Sequence, residues 1–282
     1  EGSTRRLLSN DHDHVILSTS TTMYNGDDSN VGDHPNGPFL TVGEAINHAT
    51  AGDTIFIYPG EYEEALPLTV PVGVTVRGSE LRNVIIKPDS NTAEDVFLLN
   101  GETTVEDITI KDFHFDALNN RGYAFKFAPG MTVTSRSPYI RNISVITTGT
   151  VTSPADPRGY DTGDAGRGAY IDGSVVNAAS KEASMLFHSV TFITPGAYAV
   201  IMTNGVRVEW LNSFVYFAQQ GILLERGSTG HLSTDGSTIK YGAEMRCIGS
   251  ANVYGEFGIK ANGVGTNAYL INHNFTYIGT GK

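Results

Sequence analysis

Pro38-Phe39-Leu40-Thr41-Val42-Gly43-Glu44-Ala45-Ile46 leads, five residues on, into Ala51-Gly52-Asp53-Thr54-Ile55-Phe56-Ile57-Tyr58-Pro59-Gly60-Glu61-Tyr62. Val42, Ala45, Ile46 and Ala49 recur at helical spacing, Thr41 is placed to cap the first turn and Gly52 to stop the last, so a short amphipathic helix is expected over about 41–50. Asp53-Thr54 then turns the chain into Ile55-Phe56-Ile57-Tyr58, the first clear strand. A helix followed only by strands fits a solenoid, whose first coil would leave a bare edge without a cap.

Working outward, helical periodicity almost disappears past residue 50. Short apolar runs punctuated by glycine take its place: Val74-Thr75-Val76, Val84-Ile85-Ile86, Val96-Phe97-Leu98-Leu99, Ile108-Thr109-Ile110, Ala124 to Phe127, Ile143-Ser144-Val145, Val190-Thr191-Phe192, Phe214-Val215-Tyr216, Ile222-Leu223-Leu224 and Ala268-Tyr269-Leu270-Ile271. These are strand signals, and the chain reads as all-β. A phrase of polar, apolar, Ser/Thr and apolar residues repeats as Asp107-Ile108-Thr109-Ile110, Asn142-Ile143-Ser144-Val145 and Ser189-Val190-Thr191-Phe192. Val84 to Ile108 and Val190 to Phe214 are each 24 residues, Phe214 to Ile239 is 25, and Ile143 to Val190 is 47, close to two such units. The 35 residues from Ile108 to Ile143 imply an insertion in one coil. A period in the low twenties suits a β-solenoid. A sandwich or jelly roll would show hairpin turns between alternating runs. The dipeptides Asn36-Gly37, Asp172-Gly173, Asn204-Gly205, Asp235-Gly236 and Asn262-Gly263 serve equally as solenoid corners with positive φ.

The 282 residues include 32 Gly, 40% apolar and 17% charged residues, enough for one large domain or two ordinary ones with a real core. Nineteen Lys and Arg against 30 Asp and Glu give a formal charge of −11, which argues against general attraction to nucleic acid or an anionic membrane. No run approaches the roughly 18–20 apolar residues of a membrane span, so no membrane insertion is expected. The single cysteine, Cys247, can form no internal disulfide. The chain begins with Glu1 and its last strand signal lies close to Lys282, so it is read as a piece of a longer polypeptide.

Tyr24 to Glu64 resembles the opening segment of the pectin-lyase-like right-handed parallel β-helix proteins. Tyr24-Asn25-Gly26-Asp27-Asp28-Ser29-Asn30 is similar to their polar lead-in, Pro38 to Ile46 to their cap helix, and Ala51-Gly52-Asp53-Thr54-Ile55 with Pro59-Gly60-Glu61-Tyr62 to the strand and turn that follow. The resemblance implies a right-handed parallel β-helix with a short N-terminal capping helix. It divides the chain into a lead-in or arm at 1–37 and a β-helix at 38–282, with an inserted loop at about 152–168. It implies no single activity, because that superfamily hosts lyases, hydrolases, esterases, epimerases and silent phage spikes. Ser153 to Phe217 resembles structural proteins of marine phages, chiefly those of cyanobacteria, through Asp156-Pro157-Arg158-Gly159-Tyr160, Gly163 to Ser174 and Asn204 to Phe214. That second resemblance implies a tail-fibre-like virion protein.

Gly60-Glu61-Tyr62-Glu63-Glu64 matches a phrase near the start of pectin methylesterases, but the Gln-Asp-Thr-Leu, Asp-Phe-Ile-Phe-Gly and Leu-Gly-Arg-Pro-Trp segments of those enzymes are absent. Gly60 is therefore read as a turn and Tyr62 as packing beside the cap. Polygalacturonase-like hydrolysis needs paired carboxylates and a Gly-His-Gly segment; the latter is missing, and Asp27-Asp28 precedes the cap. A β-elimination lyase needs a group to neutralise a uronate and a base beside it. The loop from Asp156 to Arg167 and then Asp172 is the dense polar cluster for such work, with Asp161, Asp164, Arg167 and Asp172 as catalytic candidates and Arg158, Tyr160, Asp161 and Arg167 as binding candidates. No metal site is assigned: Asp11-His12-Asp13-His14 reads as a solvated arm, and Asp27, Asp28, Asn30 and Asp33 offer Ca²⁺ oxygens without the loop spacing of a calcium site. No other cofactor is expected.

Late aromatics, Trp210, Phe214, Tyr216, Phe217, Tyr241, Tyr254, Phe257, Tyr269, Phe275 and Tyr277, would be a sugar-stacking track outside a coil or core inside it. Phe214 and Tyr216 share one side of a strand and Val215 and Phe217 the other, and both sides are apolar. That points to a subunit interface, most simply a threefold bundle of parallel solenoids. The expectation is a homotrimeric virion component of a phage tail appendage, contacting other virion proteins and presenting a surface to a cell-surface polysaccharide. The alternative is a secreted, polysaccharide-degrading lyase or hydrolase on the same scaffold.

Overall fold

In the computed structural model the described residues are 13–16, 26–32, 37–147, 164–176, 183–195, 197–218, 220–225, 231–232, 238–239, 243–255, 257–263 and 265–278. They form a right-handed parallel β-helix. One face is a large sheet whose main row runs through Thr54–Ile57, Thr75–Gly78, Thr104–Lys111, Tyr139–Ile146, Ser184–Ile193, Arg207–Leu211, Glu244–Ile248 and Asn267–Ile271. The second sheet stacks Leu68–Val70, Phe97–Leu99, Tyr123–Phe127, Arg167–Asp172, Tyr198–Thr203, Gln220–Glu225 and Phe257–Asn262. Every pairing in these rows is parallel, as a coil that climbs in one direction requires.

Register sorts the side chains. Ile55, Val76, Val105, Ile140, Phe187, Trp210, Cys247 and Leu270 occupy one inward column. All but Leu270 at the last coil are essentially sealed from solvent. Phe97 lies on Phe125, Phe187 meets Phe125 edge-on, and Trp210 packs on both Phe187 and Phe192, so an aromatic spine fills the middle coils.

Coil length varies: Ile55 to Val76 is 21 residues and Phe187 to Trp210 is 23, whereas Ile140 to Phe187 is 47. Ile143 pairs directly with Val190, so the 47-residue spacing is one coil and not two. Like its neighbours this coil contains one strand of the second sheet, here Arg167–Asp172, and its extra length falls at 148–163 and 177–182, outside the described residues. Nor is Ile239 the next coil after Phe214. It pairs antiparallel with His231, and Phe214 pairs with Ala251.

The phrase that repeats in the sequence marks a corner. Asp107, Asn142, Ser189 and Asn212 have φ of 61°, 51°, 56° and 45°, at the bend where the first sheet turns onto its flanking strands. Asn and Asp tolerate this left-handed conformation. The side chains link the coils: Asn142 Nδ2 donates to Asp107 Oδ1, and Asn212 Nδ2 donates to Ser189 Oγ at 3.1 Å. Asn204-Gly205 is also left-handed at both residues, whereas Asp172 opens the short 3₁₀ turn Gly173–Val175.

The cap is the helix Val42–His48, shorter than the 41–50 expected, with Thr41 Oγ1 accepting from the Glu44 N–H. Its first turn is held from two sides. Asp28 accepts from the Leu40 and Thr41 N–H groups and the Thr41 hydroxyl, and buried Glu64 accepts from the Val42 and Gly43 N–H groups at 2.7 and 2.9 Å. Burial, the largest influence, pushes the Glu64 carboxyl up to about 7, against the two N–H donors. Tyr62 packs in the core beside it, so the Gly60–Glu64 phrase is structural here. Asp13–Ile16 adds a parallel strand to Thr54–Ile57 at the first edge of the sheet.

Candidate functional site

The strands of the first sheet present alternate residues outward. At the start of four successive strands stand Thr75, Thr104, Tyr139 and Leu186, in register across adjacent coils. The segment Thr134–Ser137 rises beside them as a wall. The Glu102 N–H donates to the Arg136 carbonyl, Ser135 Oγ donates to the Glu102 carboxylate, and Thr134 Oγ1 donates to the Arg136 carbonyl. Between wall and sheet lies a cleft of about 890 Å³, lined by Thr75, Glu102, Thr104, Arg136 and Tyr139 among others.

Two residues further along the same strands comes a second outward row, Arg77, Glu106, Arg141 and His188. Glu106 lies nearly buried between two half-exposed arginines: Arg77 Nε is 3.4 Å from one carboxylate oxygen and Arg141 Nη2 pairs with the other. Arg77 also lies 3.7 Å from Asp107. Tyr139 bridges the two rows. Its ring is stacked on His188 at 6.3 Å and 6°, its hydroxyl is 2.9 Å from His188 Nδ1, and the Arg141 guanidinium is 5.9 Å from its ring centre.

The charges around this groove balance, with Arg77, Arg136 and Arg141 set against Glu102, Glu106 and Asp107. The site therefore offers fixed donors and acceptors, an aromatic face and little net field. Such a combination suits a neutral polyhydroxylated chain, whose hydroxyls take both roles and whose C–H faces lie on rings. A strongly anionic polymer meets no excess of positive charge here, on a chain of net charge −11.

The candidates named from sequence lie elsewhere. Arg158, Tyr160 and Asp161 fall outside the described residues. Asp164 precedes the second sheet, where its carbonyl accepts from the Phe115 N–H. Arg167 opens the Arg167–Asp172 strand of that sheet, its guanidinium 3.5 Å from the Phe115 ring centre and 4.8 Å from that of Tyr198, with a long 3.4 Å contact to the Tyr123 hydroxyl. Its Nε is buried without a hydrogen-bond partner. Lys126, one coil away, ion-pairs with Asp95 at 3.0 Å and lies over Tyr123 and Tyr170. Asp172, at the far end of the same strand, accepts from the Ser174 N–H and from Asn204 Nδ2 at 2.7 Å, a turn-capping role. Asp164, Arg167 and Asp172 are thus spread along one strand and its approach.

The lead-in oxygens have structural partners: Asp27 accepts from the Ser29 N–H, Asn30 donates to the Pro38 carbonyl, and Asp28 holds the helix start. Asp33 is outside the described residues. Among those residues no group of three or more His, Cys, Asp or Glu side chains is placed to hold a metal.

Among the late aromatics Trp210 is core, and Phe214 and Tyr216 are stacked on the outer face. Val215 does not share a side with Phe217: it is buried in the coil, and Phe217 follows the strand in a left-handed conformation, 44% exposed. The regular alternation ends at the corner, which is why the two part. Tyr241 and the side chains of Tyr254 and Tyr277 lie outside the described residues.

Residues 24–120, about a third of the chain, match the family described as Protein of unknown function (DUF1565). No curated protein matches the chain. Among solved structures, pectin methylesterase PemA from Erwinia chrysanthemi is 12% identical over 87% of this chain and 80% of its own, with a TM-score of 0.39. Geobacillus virus E2 ORF18 is 10% identical over 83% and 57%, at 0.36. An iota-carrageenase of family GH82 from A. fortis is 16% identical over 88% and 51%, at 0.31. These overlaps are loose; the parallel registers of the chain itself establish its fold. No described helix is long and apolar enough to cross a membrane.

Proposed function

We propose that the protein is a glycan-binding β-helix, a rigid component of an extracellular particle such as a phage tail appendage, which holds a neutral polysaccharide along the groove of its first sheet. The observation that carries this reading is the groove itself, where Tyr139 and His188 stack beside the Arg77–Glu106–Arg141 row, across coils that the fold holds in fixed register. A solenoid places such groups at the strand spacing of roughly 4.8 Å, so successive coils present a repeated surface to a repeated ligand. The resemblance of Ser153 to Phe217 to phage structural proteins supports the placement on a virion. The test is electrophoresis through gels containing dextran, mannan, galactan or polygalacturonate. Retardation by one neutral polymer is expected, and retardation by polygalacturonate alone would contradict the reading.

A polysaccharide-degrading enzyme is the second reading, favoured by the Tyr139 hydroxyl lying 2.9 Å from His188 Nδ1, a phenol beside a potential base. A change in viscosity or reducing ends of any polymer in that panel, lost in Tyr139→Phe and His188→Ala with binding retained, would establish it.

A further inference from the structure

On the second sheet, Arg167 is a cation with no carboxylate beside it among the described residues. Arg77, Arg121, Arg141 and Arg246 each have one. Around the Arg167 guanidinium stand rings instead: Phe115 at 3.5 Å, Tyr198 at 4.8 Å and Tyr123 at 6.0 Å from its central carbon. A guanidinium has five N–H donors. Here the Nε group is buried without a partner, and the one polar contact, at 3.4 Å, is to the Tyr123 hydroxyl, which itself donates to Asn120 Oδ1 at 2.8 Å. Stacking on rings holds the group in place but leaves the donors in its plane unmet, and a desolvated donor without an acceptor is costly.

The cluster is tightly built. The Phe115 N–H donates to the Asp164 carbonyl, the Gly166 N–H to the Phe113 carbonyl and the Arg167 N–H to the Gly122 carbonyl. These bonds close residues 113–122 onto the start of the Arg167–Asp172 strand and set Phe115 on the guanidinium. Gly122 has φ of 99°, and a β-carbon there would fall 2.0 Å from the His114 carbonyl oxygen, so the close approach needs glycine. Arg167, Tyr170 and Tyr198 keep part of their surface exposed.

The charges around Tyr123 leave one positive unit. Lys126 and Arg167 flank it, at 5.5 and 6.0 Å from its ring centre, and Asp95 is committed elsewhere. Asp95 Oδ2 pairs with Lys126 at 3.0 Å, and its Oδ1 accepts from the Gly122 and Tyr123 N–H groups. Arg121 and Glu94, next to these residues in the chain, pair with each other. The geometry points to a second ligand site, on the second sheet, where the Arg167 guanidinium takes a single carboxylate such as that of an acidic sugar. A carboxylate lies in the plane of the fork and accepts from two donors at once. One negative charge balances the excess, whereas a dianionic phosphate overshoots it. The site is separate from the groove of the first sheet and does not depend on what that groove holds.

The test is a titration of the full chain with glucuronate, acetate, glucose and inorganic phosphate, following the Arg167 Nε–H signal by NMR into the millimolar range. Glucuronate should shift that signal and glucose should not. An equal shift with acetate shows that the carboxylate alone is read, and a shift with glucuronate alone that the sugar ring is read too; both uphold the site. Saturation transfer to glucuronate then compares variants of unchanged circular dichroism. The dissociation constant should rise about tenfold or more in Arg167→Met, rise less in Arg167→Lys, which keeps the charge without the fork, and stay unchanged in Tyr139→Ala. No shift of the wild-type signal with either carboxylate overturns the inference, whether or not the variants fold. So does glucuronate binding that survives Arg167→Met, or that is lost in Tyr139→Ala. A response to phosphate equal to or above that to the carboxylates overturns the assignment to one negative charge.

Discussion

The Tyr139 hydroxyl stands 2.9 Å from His188 Nδ1, with the two rings parallel, although 49 residues separate them in the chain. Adjacent strands of the first sheet bring them together on its outer face, Tyr139 lining the cleft and His188 beside it. If the groove holds a sugar, Tyr139→Ala removes the aromatic face and its hydroxyl at once. Calorimetry should then show affinity for the retained polymer falling about tenfold or more, near 1.4 kcal/mol. Tyr139→Phe keeps the ring and should lose less, about 1 kcal/mol for one hydrogen bond.

The corner ladder predicts a stability effect away from the groove. Asn142→Ala replaces a residue that tolerates the left-handed conformation with one that does so less readily, and deletes the hydrogen bond to Asp107. Together these should cost about 1–3 kcal/mol in denaturant unfolding. Asn142→Gly relieves the backbone and should cost less than Asn142→Ala. Equal losses in the two variants would show that the left-handed backbone is not the constraint.

At the cap, Glu64 titrates near 7 in the folded chain against an ordinary 4.5. Between those values the folded state binds the proton more tightly than the unfolded one. The contribution is therefore fully present below 4.5 and is lost as pH rises through 7, at up to about 1.4 kcal/mol per pH unit. Protection factors of the Val42–His48 helix amides, corrected for intrinsic exchange at each pH, should fall from pH 5 to pH 8, and Glu64→Gln should flatten that dependence.

The other end should respond in the opposite sense. Buried Cys247 lies with its sulfur 2.9 Å from His273 Nδ1, and His273 Nε2 is 2.6 Å from Asn252 Oδ1, tying the last coils together. Burial holds the imidazole below its ordinary value and pushes the thiol up. A histidine whose folded value is depressed stabilises above its unfolded value and loses that contribution as pH falls. Protection factors of the amides of Asn267–Ile271 and Asn274–Ile278, each measured against the intrinsic exchange rate at that pH, should therefore be lower at pH 5 than at pH 7.5. Cys247 should resist iodoacetamide at neutral pH until the chain unfolds, and His273→Ala should speed its labelling.

The fold was legible because its cause is local. Strand runs, Gly and Asn corners and the amphipathic turn before Asp53 are all written in short stretches. The groove was harder, since Arg77, Glu106, Arg141 and His188 are 29 to 47 residues apart and meet only through register. Coil lengths made unequal by excursions concealed that register, and made the 47-residue step resemble two coils. A signal was nonetheless present. The repeated phrase begins at Asp107, Asn142 and Ser189, and the residue just before each is Glu106, Arg141 and His188. Aligning the phrases one position to the left would have stacked three of the four groove residues. The polar residues of the loop from Asp156 are adjacent in sequence and so form the more conspicuous cluster.

The most direct test of the groove is a hydrogen-exchange footprint of the chain saturated with whichever neutral polysaccharide retards it. Protection centred on residues 75–77, 104–106, 134–141 and 186–188 is the result this account predicts. Protection confined to the second sheet, at Tyr123–Phe127 and Arg167–Asp172, would contradict it and move the binding surface to the aromatic cluster around Arg167.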